Sequence, residues 1–476
     1  MRTMLIVHRY LGVVLGLVMA LWCLSGFVMM YRGYPAVTSV QRLKGSEPLR
    51  LNATSPEPSL GSGPLSGFRI EMLAGRPLLR LNDEDGRRMI DLSAAAPVER
   101  AGPKAAAAQA AIYAAGQGVR SPARPPLLIY QDQWTVEDAG ARGPVYRVAF
   151  EDPAGTVVYV ASRTGEVVQA TDRQSRLWAW LGAVPHWLYP HVLRRHAQLW
   201  SQVVIWSAVV GVFLSATGLY VGVARFRRTR DGRWSPYRGW RFWHHMAGLI
   251  FGLFTLTWVS SGLLTMSPWG LLQSSASEVM QAPLAGHIAP ADAATFLKAA
   301  PGAVRPGAVA FEAAPLGGRL HVIERFADGR ALRLDGQGRP EPLGGQELAA
   351  ALVGAGERAA SLELMWRPDA YYYPGPDNPA PLPVWKAVLA GPGDRAAYLD
   401  PASGRVRLAL DATARASRWI RYGLHDLDFP GLSARPLWDV VVLLLLAGVT
   451  VGVITGAWLA LKRVALDVSR VQGRWF

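Results

Sequence analysis

Nine histidines and one cysteine are the chain's main resources for metal chemistry, and the histidines are not scattered. His8 opens the run His8-Arg-Tyr-Leu-Gly12, followed by Gly16, Trp22, Ser25 and Gly26. His244 opens His244-His245-Met-Ala-Gly248, followed by Gly252, Trp258, Ser261 and Gly262, each matched position displaced by 236. A free imidazole gains little from being placed twice at one depth on two equivalent helices. A haem iron gains two axial ligands that way. Gly12 and Gly248 lie four residues beyond their histidines, hence on the same helix face one turn away. A porphyrin standing on that face needs a neighbour without a side chain. Gly12-x-x-x-Gly16 and Gly248-x-x-x-Gly252 also suit close helix packing through small residues, and the two uses are compatible. The doublet leaves His244 and His245 as alternatives. The common offset and the glycine spacing favour His244.

A second pair is His186, in Val-Pro-His186-Trp-Leu-Tyr-Pro, with His425, in Gly-Leu-His425-Asp-Leu-Asp-Phe-Pro, displaced by 239. His191 and His196 compete with His186, but neither has a histidine mate in the repeat. His287 and His321 also lack one and read as ordinary surface or core residues. The expected ligands are therefore His8 with His244 and His186 with His425, and His245 and His196 are the alternates. The cysteine, Cys23, falls in an apolar run, and no C-x-x-C-H is present. Any haem is then non-covalent, a b-type group with two histidine ligands. Zinc needs a closer set of four N/S ligands. No H-E-x-x-H, G-x-S-x-G, P-loop or G-x-G-x-x-G motif occurs.

Such histidines need helices to hold them. Four uncharged apolar runs are long enough to cross a bilayer, at Tyr10–Tyr31, Leu199–Ala224, Met246–Met266 and Val440–Leu461. The chain divides accordingly into a first membrane helix (1–31), an extramembrane domain (32–198) and a second helix (199–224). A basic loop (225–243), a third helix (244–266), a second domain (267–437), a fourth helix (438–461) and a tail (462–476) follow. The first run resembles a signal peptide, but no clear small-residue cleavage site follows, so it reads as an uncleaved anchor. Net charge is +15, with 50% hydrophobic and 18% charged residues. That excess does not imply nucleic acid, because it sits where a membrane protein needs it. The segment Arg225–Arg241 has seven arginines, Arg2 and Arg9 lie at the start, and Lys462, Arg463, Arg470 and Arg474 lie at the end. Four crossings put all three on one side, which the positive-inside rule makes cytoplasmic. Both domains then lie in the periplasm of a bacterial inner membrane.

The repeat continues outside the membrane. Pro144, Gly165, Asp172, Trp180 and His186 match Pro383, Gly404, Asp411, Trp419 and His425 at an offset of 239. Trp200, Thr217 and Gly218 match Trp438, Thr455 and Gly456 at 238. Alternating stretches at Val145–Phe150 and Thr156–Val160 predict strands in hairpins. Gly165 and Gly404 suit tight turns that need positive φ. Lys104–Ala115 and Gln346–Val353 read as helices. The expected fold is four transmembrane helices in a parallel two-fold repeat, with two α+β domains. The first and third helices run the same way, so the dyad lies along the membrane normal. A cofactor on that axis takes one ligand from each half.

The pattern His-x-x-x-Gly in helices one and three (His8/Gly12, His244/Gly248) and the run Leu-His425-Asp-Leu-Asp-Phe-Pro resemble the PepSY-associated transmembrane family. Tyr398-Leu-Asp-Pro-Ala-Ser-Gly404 is similar to the end of a PepSY domain, and Ser162-Arg-Thr-Gly165 is its weaker counterpart. The resemblance covers nearly the whole chain and implies PepSY-like domains. It also implies a role like that of the family's inner-membrane siderophore reductases, an oxidoreductase role in which haem reduces ferric siderophore in the periplasm and frees Fe(II) for iron uptake. A haem at each face makes an electron wire, entered at His8/His244 and left at His186/His425. Arg9 and Arg241, and Arg195, Arg418 and Arg421, are candidates for the haem carboxylates. The loop and tail are too short for a flavin or nicotinamide domain, so the donor is a separate cytoplasmic reductase or a membrane quinol. Tyr371, Tyr372, Tyr373 and Trp385 suit either a siderophore surface or an aromatic core. Two rivals remain. One is a cofactor-free sensor or protease regulator, and the other is a metal-chelate permease component.

Overall fold

The computed structural model describes residues 1–84, 86–137, 139–229, 232–375 and 379–472. Arg230 of the basic loop and Arg474 of the tail lie outside the described residues, as does the side chain of Arg470. Two compact units emerge. One comprises Met1–Tyr34, Leu177–Gln273 and Arg415–Phe476, and the other Pro35–Arg176 with Ser274–Ala414.

The first unit is built on four helices long and apolar enough to cross a membrane: Arg2–Met29, Ala197–Arg225, Trp240–Thr265 and Leu437–Gln472. In lipid a backbone amide has no water to bond, so a spanning segment closes its hydrogen bonds internally as a helix. Each helix starts or ends beyond the apolar run that marks it. The fourth continues through residue 472, whereas the end of its apolar run at Leu461 predicts a tail from 462. The first helix packs against the second and fourth, and the third does likewise. Glycines make the close approaches. A Cβ on Gly16 would sit 3.4 Å from the Ala457 backbone, and one on Gly252 would sit 2.8 Å from Leu219. Val14, Leu17, Phe213, Leu253 and Leu444 point out of the bundle, more than half exposed. Such faces suit hydrocarbon, and this is a membrane protein.

The second unit holds three antiparallel sheets. A four-stranded sheet from the first half orders Leu127–Ile129, Val145–Ala149, Val157–Ala161 and Val167–Thr171. The helix Pro103–Gly116 packs on it through Ala106, Ala110 and Tyr113. Its counterpart in the second half orders Ala359–Met365, Val384–Leu389, Ala396–Leu399 and Val406–Leu410. The helices Ala276–Ala285 and Gly345–Gly354 cover it through Met280, Leu284, Leu348 and Leu352. Gly165 and Gly404 turn their hairpins at φ of +74° and +69°, where a side chain would be strained.

The third sheet draws on both halves. Its seven strands run in the order Ala331–Leu334, Val322–Phe326, Ala308–Ala313, Leu65–Leu73, Arg76–Asp83, Gly86–Asp91 and Ala96–Pro97. The halves meet where Leu65–Leu73 pairs with Ala308–Ala313, with Ile70 opposite Phe311. One face buries Phe68, Ile70, Phe311 and Phe326 with Phe296 of the helix Pro290–Ala303. Side chains alternate across a strand, so Arg69, Glu71 and Glu312 fall on the other face. There Arg69 lies 2.8 Å from Glu71 and 3.4 Å from Glu312, which are paired in turn with Arg80 and Arg325. The two extramembrane segments are thus joined by a shared sheet.

Candidate functional site

The four matched histidines come together as two pairs. The rings of His8 and His244 lie 6.0 Å apart between centres, at an interplanar angle of 23°. Those of His186 and His425 lie 6.4 Å apart at 55°. Two metal–imidazole bonds of about 2 Å, plus the distance from each bonding nitrogen to its ring centre, come to about 6 Å. Each spacing therefore suits one metal atom held between two facing imidazoles.

Backbone carbonyls fix the rings. His8 Nδ1 donates to the Leu214 carbonyl at 3.1 Å, and His244 Nδ1 to the Gly452 carbonyl at 2.9 Å. His186 Nδ1 lies 3.2 Å from the Trp22 carbonyl and 3.2 Å from Ser25 Oγ. His425 Nδ1 lies 3.2 Å from the Trp258 carbonyl and 3.2 Å from Ser261 Oγ. A carbonyl oxygen cannot donate, so the proton belongs to Nδ1 in all four rings. The lone pair is then on Nε2, the arrangement a ligating histidine needs. For the second pair burial keeps both imidazoles below their ordinary pKa. His186, with His425 beside it, falls to about 4. Both remain neutral donors.

Glycines make room. A Cβ at Gly218 would stand 2.7 Å from His8 Cε1, and one at Gly456 would stand 2.8 Å from His244 Cε1. One at Gly262 would stand 3.1 Å from His425 Cε1. Gly12 and Gly248 behave differently. A Cβ at Gly12 would meet only Leu214, at 3.9 Å, and one at Gly248 meets nothing within 4 Å. The glycine spacing therefore divides its work. Gly16 and Gly252 pack helices, and Gly12 and Gly248 border open space one turn from the ligand candidates. The space beside Gly248, the ring spacings and the neutral nitrogen donors are compatible with a flat macrocycle that the paired imidazoles would hold. Among the described residues no group of three or more His, Cys, Asp or Glu is placed to hold a bare metal ion.

The competing histidines are used otherwise. His245 bonds Ser235 Oγ through Nδ1 at 2.8 Å and the Gly222 carbonyl through Nε2 at 2.9 Å, so neither nitrogen is left for a metal. His196 is exposed and accepts from Arg195. His191 lies in the short helix His191–Arg194, and it is His186 that faces His425. His287 is exposed, whereas His321 is fully buried, with Nε2 3.1 Å from Glu341.

Arg9, Arg195 and Arg241 are exposed. Arg418 is buried over Trp419, 3.5 Å from Asp428, and Arg421 reaches Ser267 and the Leu272 carbonyl. The aromatic run belongs to the core. Tyr372 stacks on Tyr398 with centres 5.0 Å apart, and Trp385 packs on the Met280–Leu284 cluster. In the sequence Ser25, Ser261, Gly218 and Gly456 stand out only as repeat positions, with no chemical role attached. Their common offsets were the signal. The carbonyls of Leu214 and Gly452 left none.

A family model described as PepSY-associated TM region matches residues 5–463 of the chain. No curated protein matches it.

Proposed function

The chain belongs to the PepSY-associated TM-region family, and from that premise we propose that it is an inner-membrane electron-transfer protein with two non-covalent haem b groups. His8 and His244 would hold one, and His186 and His425 the other. The reading rests on one observation above all. Two imidazole pairs have ring centres 6.0 and 6.4 Å apart, and each ring has Nδ1 tied to a helix carbonyl, which leaves the lone pair on Nε2. When bound, haem supplies one-electron chemistry between Fe(III) and Fe(II).

The protein's part is to hold and orient. Leu214 and Gly452 fix the first pair from the second and fourth helices, and Trp22 and Trp258 fix the second pair from the first and third. Gly218, Gly456 and Gly262 let the rings lie against the backbone. The helices exclude water. In this reading the first pair lies toward the cytoplasm, beside the basic loop, and the second toward the periplasm. Electrons from a quinol or a cytoplasmic reductase enter at the first and leave at the second for a ferric siderophore. Reduction frees iron because hard oxygen donors hold Fe(III) better than Fe(II). The enzyme would be a ferric-siderophore reductase.

The test is an absorption spectrum of the detergent-purified chain before and after dithionite, with pyridine haemochrome analysis. Two haems per chain, extractable by acid acetone, are expected. A colourless protein would remove this reading and leave the cofactor-free one.

A further inference from the structure

The two histidine pairs are alike in their inner nitrogens but not in their outer ones. Among the hydrogen bonds described, His8 Nδ1 has one acceptor, the Leu214 carbonyl at 3.1 Å, and His244 Nδ1 has one, the Gly452 carbonyl at 2.9 Å. His186 and His425 each share the Nδ1 proton between a carbonyl and a serine oxygen, all four contacts at 3.2 Å. The serines are built into the bundle, 2% and 1% exposed. Their own protons are committed. Ser25 donates to the Leu21 carbonyl at 2.6 Å and to that of Trp22 at 3.1 Å, and Ser261 to that of Trp258 at 3.1 Å. Toward the imidazole each serine oxygen therefore accepts.

A full Nδ1–H to carbonyl bond pushes electron density across the ring to Nε2 and stabilises the higher oxidation state of a bound metal. A proton shared between two longer contacts, one of them to a weaker hydroxyl acceptor, pushes less. Competition for the carbonyl does not separate the pairs. Thr217 and Thr455 donate to the Leu214 and Gly452 carbonyls at 3.1 and 2.9 Å, as the serines do to those of Trp22 and Trp258. What differs is the second acceptor.

We propose that Ser25 and Ser261 are positioning residues that give the electron path its direction, by splitting the Nδ1 hydrogen bonds of the His186/His425 site so that it has a higher reduction potential than the His8/His244 site. This rests on the haem reading above. The step it governs is a one-electron transfer. One electron leaves the first site, which is oxidised, and enters the second, which is reduced. No proton moves, because all four rings keep theirs on Nδ1. The flow then runs downhill toward the side on which the acceptor is proposed.

The test is a spectroelectrochemical titration of the full chain in detergent, with the two sites assigned through His8→Ala and His425→Ala. The wild type is expected to show the His425-dependent site at the higher potential. The double variant Ser25→Ala/Ser261→Ala should weaken that site's hold on its electron by up to tenfold, a fall of up to about 59 mV for a one-electron couple. The His8-dependent site should not move. Ser25→Thr/Ser261→Thr, which keeps both hydroxyls, should stay near wild type. A second site at or below the first in the wild type overturns the proposal, as does an alanine variant that moves both sites together or neither. If the alanine variant does not fold, the wild-type order still decides. Haem present with the wrong order removes this inference alone, whereas a chain without haem removes the functional reading and this inference with it.

Discussion

At the scale of residues, the site is a matter of which nitrogen is free and how each ring is turned. The angle of 23° in the first pair and 55° in the second has a measurable consequence. Near-parallel imidazoles lift the degeneracy of the iron orbitals that overlap their π systems, and twisted ones lift it less. The oxidised protein should therefore give two low-spin ferric EPR signals, the more rhombic lost in His8→Ala and the more axial lost in His425→Ala. A single signal, or the opposite assignment, would show that the rings relax once metal is bound. His245 is the control, because both its nitrogens are bonded to protein. His245→Ala should retain both haems, and loss of the first in that variant would transfer the ligand role to it. Gly218 makes the steric version of the test. A valine there places Cβ 2.7 Å from His8 Cε1 and must displace the ring. Gly218→Val should halve the haem content while helical circular dichroism stays unchanged.

At the scale of elements, each four-stranded sheet carries a polar knot. In the second, Asp369 accepts from Tyr398 Oη at 2.7 Å, from Lys386 Nζ at 2.8 Å and from the N–H groups of Tyr371 and Tyr372. In the first, Asp132 accepts from Tyr159 at 2.7 Å, and Tyr159 and Tyr398 occupy matched strand positions. Burial alone would raise the Asp369 pKa, but the bonds from Lys386, Tyr398 and the backbone outweigh it and hold the carboxyl below its ordinary value. A depressed carboxylate stabilises the fold above its unfolded pKa, and the contribution is lost as pH falls through the folded one. Tyr398→Phe removes one bond to a charged group and should cost about 1–3 kcal/mol, measured as a lower thermal midpoint. Asp369→Asn should flatten the acid limb of the stability curve below about pH 4. A variant with an unchanged acid limb would place the acid sensitivity elsewhere. The knots also show what sequence could reveal. Tyr159, Tyr398, Gly165 and Gly404 are legible because the repeat keeps them in register. The seven-stranded sheet was not legible. Leu65–Leu73 and Ala308–Ala313 share little sequence, and an apolar strand does not name its partner across more than 200 residues of chain. The carbonyls that orient the histidines were invisible for a simpler reason, since every residue has one.

At the scale of the whole molecule, the proposed function needs a side from which electrons arrive and a side on which they leave. In the proposed reading the arginines of the 225–241 loop, with Arg2 and Arg9, make the arrival side, that of the His8/His244 pair, the cytoplasmic one. Reporter fusions at residues 120, 235 and 340 should then read periplasm, cytoplasm and periplasm. A cytoplasmic signal at 120 or 340 would remove the two-face path. Given that topology, the acceptor is met at the His186/His425 site. Ferric siderophore added to dithionite-reduced protein should reoxidise the haems and yield Fe(II), captured by a ferrous chelator. His425→Ala disables the exit while leaving the His8/His244 pair intact. Its remaining haem should stay reduced for far longer under the same addition, and His8→Ala should still discharge its one electron at the wild-type rate. That contrast separates an exit site from a general loss of haem, because each variant has lost one group and only one has lost the outlet. If both variants discharge at the same rate, siderophore is reduced without passing through the second site. Haems that stay reduced with every ferric chelate would keep the two-haem path and assign its electrons to another periplasmic acceptor.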